Sequence, residues 1–165
     1  MYYYLNQFYF FAILGFVYEN ILHLITKGSF SNNPFVGPWM PIYGFGVILM
    51  IFLTRLIFNR LKAPRWLKQV CLFISVVVIL TILEQIGGML TEAVFHKSFW
   101  DYSDMMFNWG KYICLEVSLA WGVACFIFLY LVKPRTDKII KKIPKWLTWV
   151  VSVLFIIDFI YSFFF

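Results

Sequence analysis

Residues 68–94 read KQVCLFISVVVILTILEQIGGMLTEAV, and this run decides the fold. As a helix rising ~1.5 Å per residue it would be ~40 Å long, more than the ~30 Å hydrocarbon core of a bilayer. No charge interrupts it between Lys68 and Glu84. An apolar surface of that length fits lipid far better than water. The run is not uniform, however. Thr81, Glu84, Gly87, Gly88 and Thr91 gather on one side of a helix turning about 100° per residue, a small and polar stripe in a greasy helix.

Comparable runs lie outward from it at about 2–26, 42–58, 112–132 and 146–165. Together they predict an all-α fold: a polytopic membrane helical bundle of about five transmembrane helices with two structured outer loops, forming a single integral-membrane domain over residues 1–165. The second span is the shortest because Arg55 interrupts it, and an Arg near a helix end can snorkel to the interface. Composition agrees, with 62% hydrophobic, 22% aromatic and only 13% charged residues and a mean hydropathy of +0.81, outside the range of soluble domains. No internal repeat, low-complexity tract or soluble segment interrupts the pattern. The N-terminus has no basic flank or small-residue cleavage site, so its apolar run is expected to remain as a span. Cys71, Cys114 and Cys125 show no CxxC or Cys/His spacing, so no metal site is signalled and they are expected to pack.

The net charge of +6 does not imply nucleic acid, because the basic residues sit in loops beside the apolar runs. Of 14 Lys and Arg, eleven fall in the second and fourth loop regions, from Arg55 to Lys68 and from Lys133 to Lys145. Only Lys27, Lys97 and Lys111 fall on the other side. The positive-inside rule then places the N-terminus in the cytoplasm and the C-terminus outside the cell membrane. Trp66, Trp146 and Trp149 would mark the inner interface, and Trp39, Trp100 and Trp109 the outer one.

Acids follow the opposite distribution. Asp137 alone lies in a basic loop, while Asp101 and Asp104 fall in an outer loop and Glu19, Glu84, Glu92, Glu116 and Asp158 in or at the ends of spans. Counting rise per residue, Glu84 stands ~24 Å from Lys68, Glu19 ~22 Å from Tyr4, Asp158 ~18 Å from Trp146, and Glu116 ~6 Å below Tyr112. These four carboxylates from four helices are expected in one outer-half layer. Facing lipid, each would cost roughly 2.5–3.5 kcal/mol, so they should face the interior or a wet cavity. The first span carries its own stripe, Ala12, Gly15, Glu19, His23 and Thr26. Such stripes also serve as close helix contacts, so they suit packing as well as binding.

Two outer loops carry shape. KGSFSNNPFVGPWMPIYGFG, residues 27–46, is stiffened by Pro34, Pro38 and Pro41 and bent at Gly37, Gly44 and Gly46. It is either a re-entrant cap or an ordinary interfacial turn. FWDYSDMMFNWGKYICLE, residues 99–116, concentrates polar groups among aromatics, with Asp101 and Ser103 suited to capping a turn and Trp100 and Tyr102 to anchoring. It could roof a carboxylate-lined cavity.

PFVGPWMPIYGFG (34–46), LEQIGGMLTE (83–92), FWDYS (99–103), FN (107–108) and CLEVSLAWG (114–122) together resemble the CmpB-type family of ABC-transporter permeases, ABC-transporter type IV. The likeness runs over about residues 15–165. It implies a bacterial transport role and singles out Glu19, Gly37, Pro38, Pro41, Ile42, Tyr43, Gly44, Glu84, Glu92, Trp100, Asp101, Tyr102, Ser103, Cys114 and Asp158. The chain departs at Asn32-Asn33-Pro34, where the family tends to carry Asn-Arg-Gly, and at Lys111, where Arg is usual.

The expected function is therefore a small permease-like transport component. Its substrate or ion site would draw on Glu19, His23, Glu84, Glu92, Asp101, Glu116 and Asp158, shaped by Gly37, Pro38, Pro41, Tyr43, Gly44, Trp100, Tyr102 and Ser103. Glu84 is the first candidate contact. No Walker A loop is present and no cofactor is implied, so any ATP chemistry belongs to a separate ATPase subunit; membrane lipid and further copies in a homo-oligomer are the other partners considered. Two alternatives remain. A membrane-embedded enzyme acting on an envelope lipid could use Glu19 and His23 at i,i+4, but no GxSxG or HExxH motif stands behind it, and the expectation is no enzyme. A scaffold or regulator would instead dock through Gly87 and Gly88.

Overall fold

A computed structural model describes residues 1–31, 33, 35–96, 98 and 100–164. The motif positions Asn32, Pro34 and Phe99 and the rim cation Lys97 lie outside the described residues. The fold is all-α: α1 (Tyr2–Lys27), α2 (Pro41–Arg60), α3 (Arg65–Phe95), α4 (Leu115–Ile127), a π turn (Phe128–Val132), α5 (Lys133–Ile140) and α6 (Lys145–Phe164). Among the described residues five helices are long and apolar enough to cross a membrane: Tyr2–Lys27, Pro41–Arg60, Arg65–Val94, Leu115–Ile140 and Lys145–Ser162.

Element boundaries follow local chemistry. α1 ends where Gly28 takes the left-handed conformation at φ 66°, its N–H closing on the Leu24 carbonyl. α3 follows Pro64, which fixes extended backbone ahead of the first turn, and closes at His96, left-handed at φ 53°. The fourth span differs most from the sequence expectation. Winding does not stop near residue 132 but continues through the π turn and α5 to Ile140, so Lys133, Arg135, Asp137 and Lys138, expected in a loop, are helical. The hydropathy of those residues ends the apolar run, but the helix runs on past Pro134, which follows directly on the π turn.

Residues divide into two compact units, Met1–Leu49 with Arg135–Phe165, and Met50–Pro134. In the first, α1 and α6 run parallel, as successive pairings show: the Thr148 hydroxyl donates to Asn6 Oδ1 at 2.7 Å and the Tyr9 hydroxyl to Ser152 Oγ at 2.9 Å. Trp39, expected at the outer interface, is instead buried, edge-on to Tyr9 and Phe155. In the second unit α3 and α4 run antiparallel. The Thr81 hydroxyl donates to Ser118 Oγ at 2.7 Å, and further along α3 Gly88 lies under the Tyr112 ring. Glu84 consequently falls opposite the start of α4, at the height of Leu115 and Glu116.

Candidate functional site

In the first unit the segment 28–40 settles the choice between cap and turn: it doubles back along α1. The Met40 N–H bonds the Ala12 carbonyl at 2.9 Å, about fifteen residues or ~22 Å before the end of α1, so α2 sets off from half-way along its neighbour. Close approach is possible because Gly44 has no side chain; a Cβ there would meet the Phe8 carbonyl oxygen at 2.7 Å. Irregular backbone beside a spanning helix needs its polar groups satisfied inside the protein. Asp158 of α6 does much of this, accepting the Val36 N–H at 3.2 Å and the Gly37 N–H at 3.0 Å. Ser31 donates its N–H to Asn20 Oδ1 at 3.3 Å, and Asn33 Nδ2 donates to the Gly37 carbonyl at 3.0 Å. The Tyr43 ring lies over Gly15 and its hydroxyl donates to Glu19 Oε1. His23, one turn along from Glu19, is half-buried and has no hydrogen-bond partner among the described residues. Pro38 is exposed and Pro41 opens α2.

The second unit holds the other cluster. Residues 100–114 fold into a compact crossing: the Tyr102 N–H bonds the Lys111 carbonyl at 2.8 Å, the Trp109 N–H the Ile113 carbonyl at 2.9 Å, and the Leu115 N–H the Phe107 carbonyl at 3.0 Å. Asp101 Oδ1 accepts both the backbone N–H and the hydroxyl of Ser103, a local turn. The Ser103 hydroxyl above all, then its N–H, hold the Asp101 carboxyl below its ordinary range, with the Lys111 charge adding to the effect. Trp100 and Tyr112 pack edge to face, 6.3 Å between centroids, over the Gly87–Gly88 face of α3. That small-residue face is thus occupied by the chain's own aromatics, which removes it as a docking surface for another protein.

Under this loop Glu84 is 4% exposed. The Tyr102 hydroxyl donates to its Oε1 at 3.3 Å, and the Trp121 indole faces the same carboxylate. No cation among the described residues lies within ion-pair distance of it. The Lys111 ammonium is bonded to Glu92 at 2.7 Å, and that pair is partly exposed. Glu116, in the first turn of α4, receives the Cys114 thiol at 2.5 Å. Among the described residues no three His, Cys, Asp or Glu side chains gather into a metal-ligand cluster.

A buried carboxylate roofed by a folded loop, in a chain of five membrane-crossing helices, is the setting in which the comparison with known proteins enters. The family model "Putative ABC-transporter type IV" matches residues 6–165. The chain belongs to that family. Membership in this ABC-transporter-type family, together with the five spans, makes it a multi-pass membrane protein of transport-related class. No curated protein and no solved structure matches it.

One polar cluster escaped sequence reasoning. Gln7, fully buried on α1, donates from Nε2 to the Tyr3 hydroxyl at 2.9 Å and to Asp137 Oδ1 at 2.7 Å, and the Tyr3 hydroxyl donates to the same oxygen at 2.7 Å. With Asn6, Tyr9, Thr148 and Ser152 it forms a polar seam in the first unit. Adjacent Asn6 and Gln7 inside an apolar run, and Thr148 and Ser152 one turn apart, were the available signals.

Proposed function

We propose that this chain is the small membrane-crossing, permease-like component of a transporter, and that a polar substrate or cation meets its carboxylates in the outer half of the bilayer. Glu84 carries the reading. It is buried inside a span, has no cation at ion-pair distance among the described residues, and is met by a tyrosine hydroxyl on a loop that can shape access to it. An intramembrane acid of this kind is expensive to keep and is usually retained for function. Glu116 at the same height adds negative character. Glu19 and Asp158, in the first unit, hold the re-entrant segment. The chemistry proposed here is transport, and Glu19 is engaged by Tyr43.

On this reading the basic excess of residues 55–68 and 133–145 faces the cytoplasm, with the N-terminus inside and the C-terminus outside. The parallel course of α1 and α6 supports opposite sides for the two termini. ATP hydrolysis is assigned to a separate ATPase subunit, and the chain can also associate with further copies of itself. A mild-detergent pull-down of the tagged chain from its native membrane, read by mass spectrometry, tests this. A stoichiometric ATPase subunit is expected; recovery of the chain with copies of itself alone would remove the ABC-type mechanism.

A further inference from the structure

Building on the reading of Glu84 as the transport site, we propose that the cation it meets is a proton, taken up and released by this carboxyl with the Tyr102 hydroxyl as its exchange partner on the loop side. Glu84 is 4% exposed, and its Oε2 accepts no hydrogen bond among the described residues. An ionised carboxylate offers roughly four acceptor sites. Here Oε1 receives the Tyr102 hydroxyl at a long 3.3 Å and the Trp121 indole faces the group, so the charge is thinly matched for its depth. A proton on the bare oxygen removes the charge, which is the costly part of burying an acid.

Size separates a proton from other cations. Hard metal ions take about six or more oxygen ligands, and among the described residues no three His, Cys, Asp or Glu side chains gather into such a set. A larger organic cation needs room under the loop. There the Tyr112 ring already fills the place of a Cβ at Gly88, and Trp100 lies 3.7 Å from that of Gly87. A proton needs one lone pair. Exchangeable hydroxyls stand on both sides of the acid along α3. Tyr102 is half-buried beside the exposed Asp101 and Ser103, and one turn back from Glu84 the Thr81 hydroxyl donates to the buried Ser118 Oγ at 2.7 Å. The charged groups of the elements packed around Glu84 are engaged elsewhere or open to solvent. On the loop, Asp101 accepts from Ser103, Asp104 is exposed and Lys111 is bonded to Glu92 of α3, while Glu116 of α4 receives the Cys114 thiol. Intramembrane acids without a fixed counter-ion are the usual stations of proton relays.

The test is infrared difference spectroscopy of the full-length chain in detergent, titrated with pH in ordinary and in heavy water. The parent should show a protonated-carboxyl stretch that is lost as pH rises, and that shifts in heavy water and on carbon-13 labelling of glutamate. The band should be lost entirely in Glu84→Gln and kept in Glu92→Gln and Asp101→Asn. Tyr102→Phe, which leaves the acid in place, should keep the band and slow its shift into heavy water. A Glu84 band absent at every pH, or one unchanged at every pH, would overturn the proton site. Loss of the band on adding sodium at fixed pH would overturn it too, making the ligand a metal cation. Equal exchange in Tyr102→Phe and the parent would remove Tyr102 as the partner. The transport reading fails separately, if the band titrates in the parent while Glu84→Gln leaves transport in the native membrane unchanged.

Discussion

The loops at 28–40 and 100–114 are built from similar residues and use their acids in opposite ways. Around 28–40, the acids on the helices serve the loop: Asp158 holds two backbone N–H groups and Glu19 holds the Tyr43 hydroxyl. Around 100–114 the loop serves the acid, because it folds on its own hydrogen bonds and lays Tyr102 and Tyr112 over Glu84 and Gly88. A carboxylate that anchors backbone is structural and should tolerate no loss. A buried carboxylate met by a long hydroxyl contact and an indole, with no cation beside it among the described residues, gives little to the fold and is held ready for something else.

Four substitutions sharpen or break that contrast. The largest effect is expected from Gly88→Val, whose new atoms fall in the Tyr112 ring and should cost about 3 kcal/mol by overpacking. Thermal unfolding in detergent checks it, and a neutral result would mean that the second loop does not sit on α3. Asp158→Ala should follow at about 2 kcal/mol, from two charge-assisted bonds at a partly exposed group. Glu84→Gln should do the reverse of Asp158→Ala, leaving the melting temperature unchanged or higher while transport in the native membrane falls about tenfold, or ~1.4 kcal/mol. If both carboxylates changed stability alike and activity alike, the distinction between the loops would fail.

The smallest effect concerns pH. Because Ser103 lowers the Asp101 carboxyl below its unfolded range, the turn contributes stability above the ordinary Asp range near pH ~3.9, and this is lost as pH falls through the lower folded value. Ser103→Ala should move the Asp101 titration upward and shrink that window from its acid side. Carboxyl NMR of labelled Asp would read it; an unmoved titration would remove the Ser103 hydroxyl as its main cause.

Legibility was uneven for physical reasons. Spans of about twenty apolar residues declare themselves, since length against a fixed membrane thickness is a one-dimensional property. The stripes were legible for the same reason, because one helix's periodicity fixes its own face: Gly15 under Tyr43 and Gly88 under Tyr112 confirm that those faces meet protein. The course of residues 28–40 was not legible. Three prolines fit a cap and a turn equally, and the choice rests on Ala12 and Asp158 offering partners from distant positions. The polar seam of Gln7 with Asp137 was hidden for a similar reason, since 130 residues separate its members.

By itself, then, the sequence determined an all-α membrane protein with five crossings, a set of acids inside them, and two loops stiff enough to matter. Only the tertiary structure decided what each acid does. Asp158 and Glu84 are both single carboxylates in apolar helices, and local sequence gives them the same expectation. They differ because backbone N–H groups reach Asp158 from a segment more than a hundred residues away, whereas aromatic groups cover Glu84 without neutralising it.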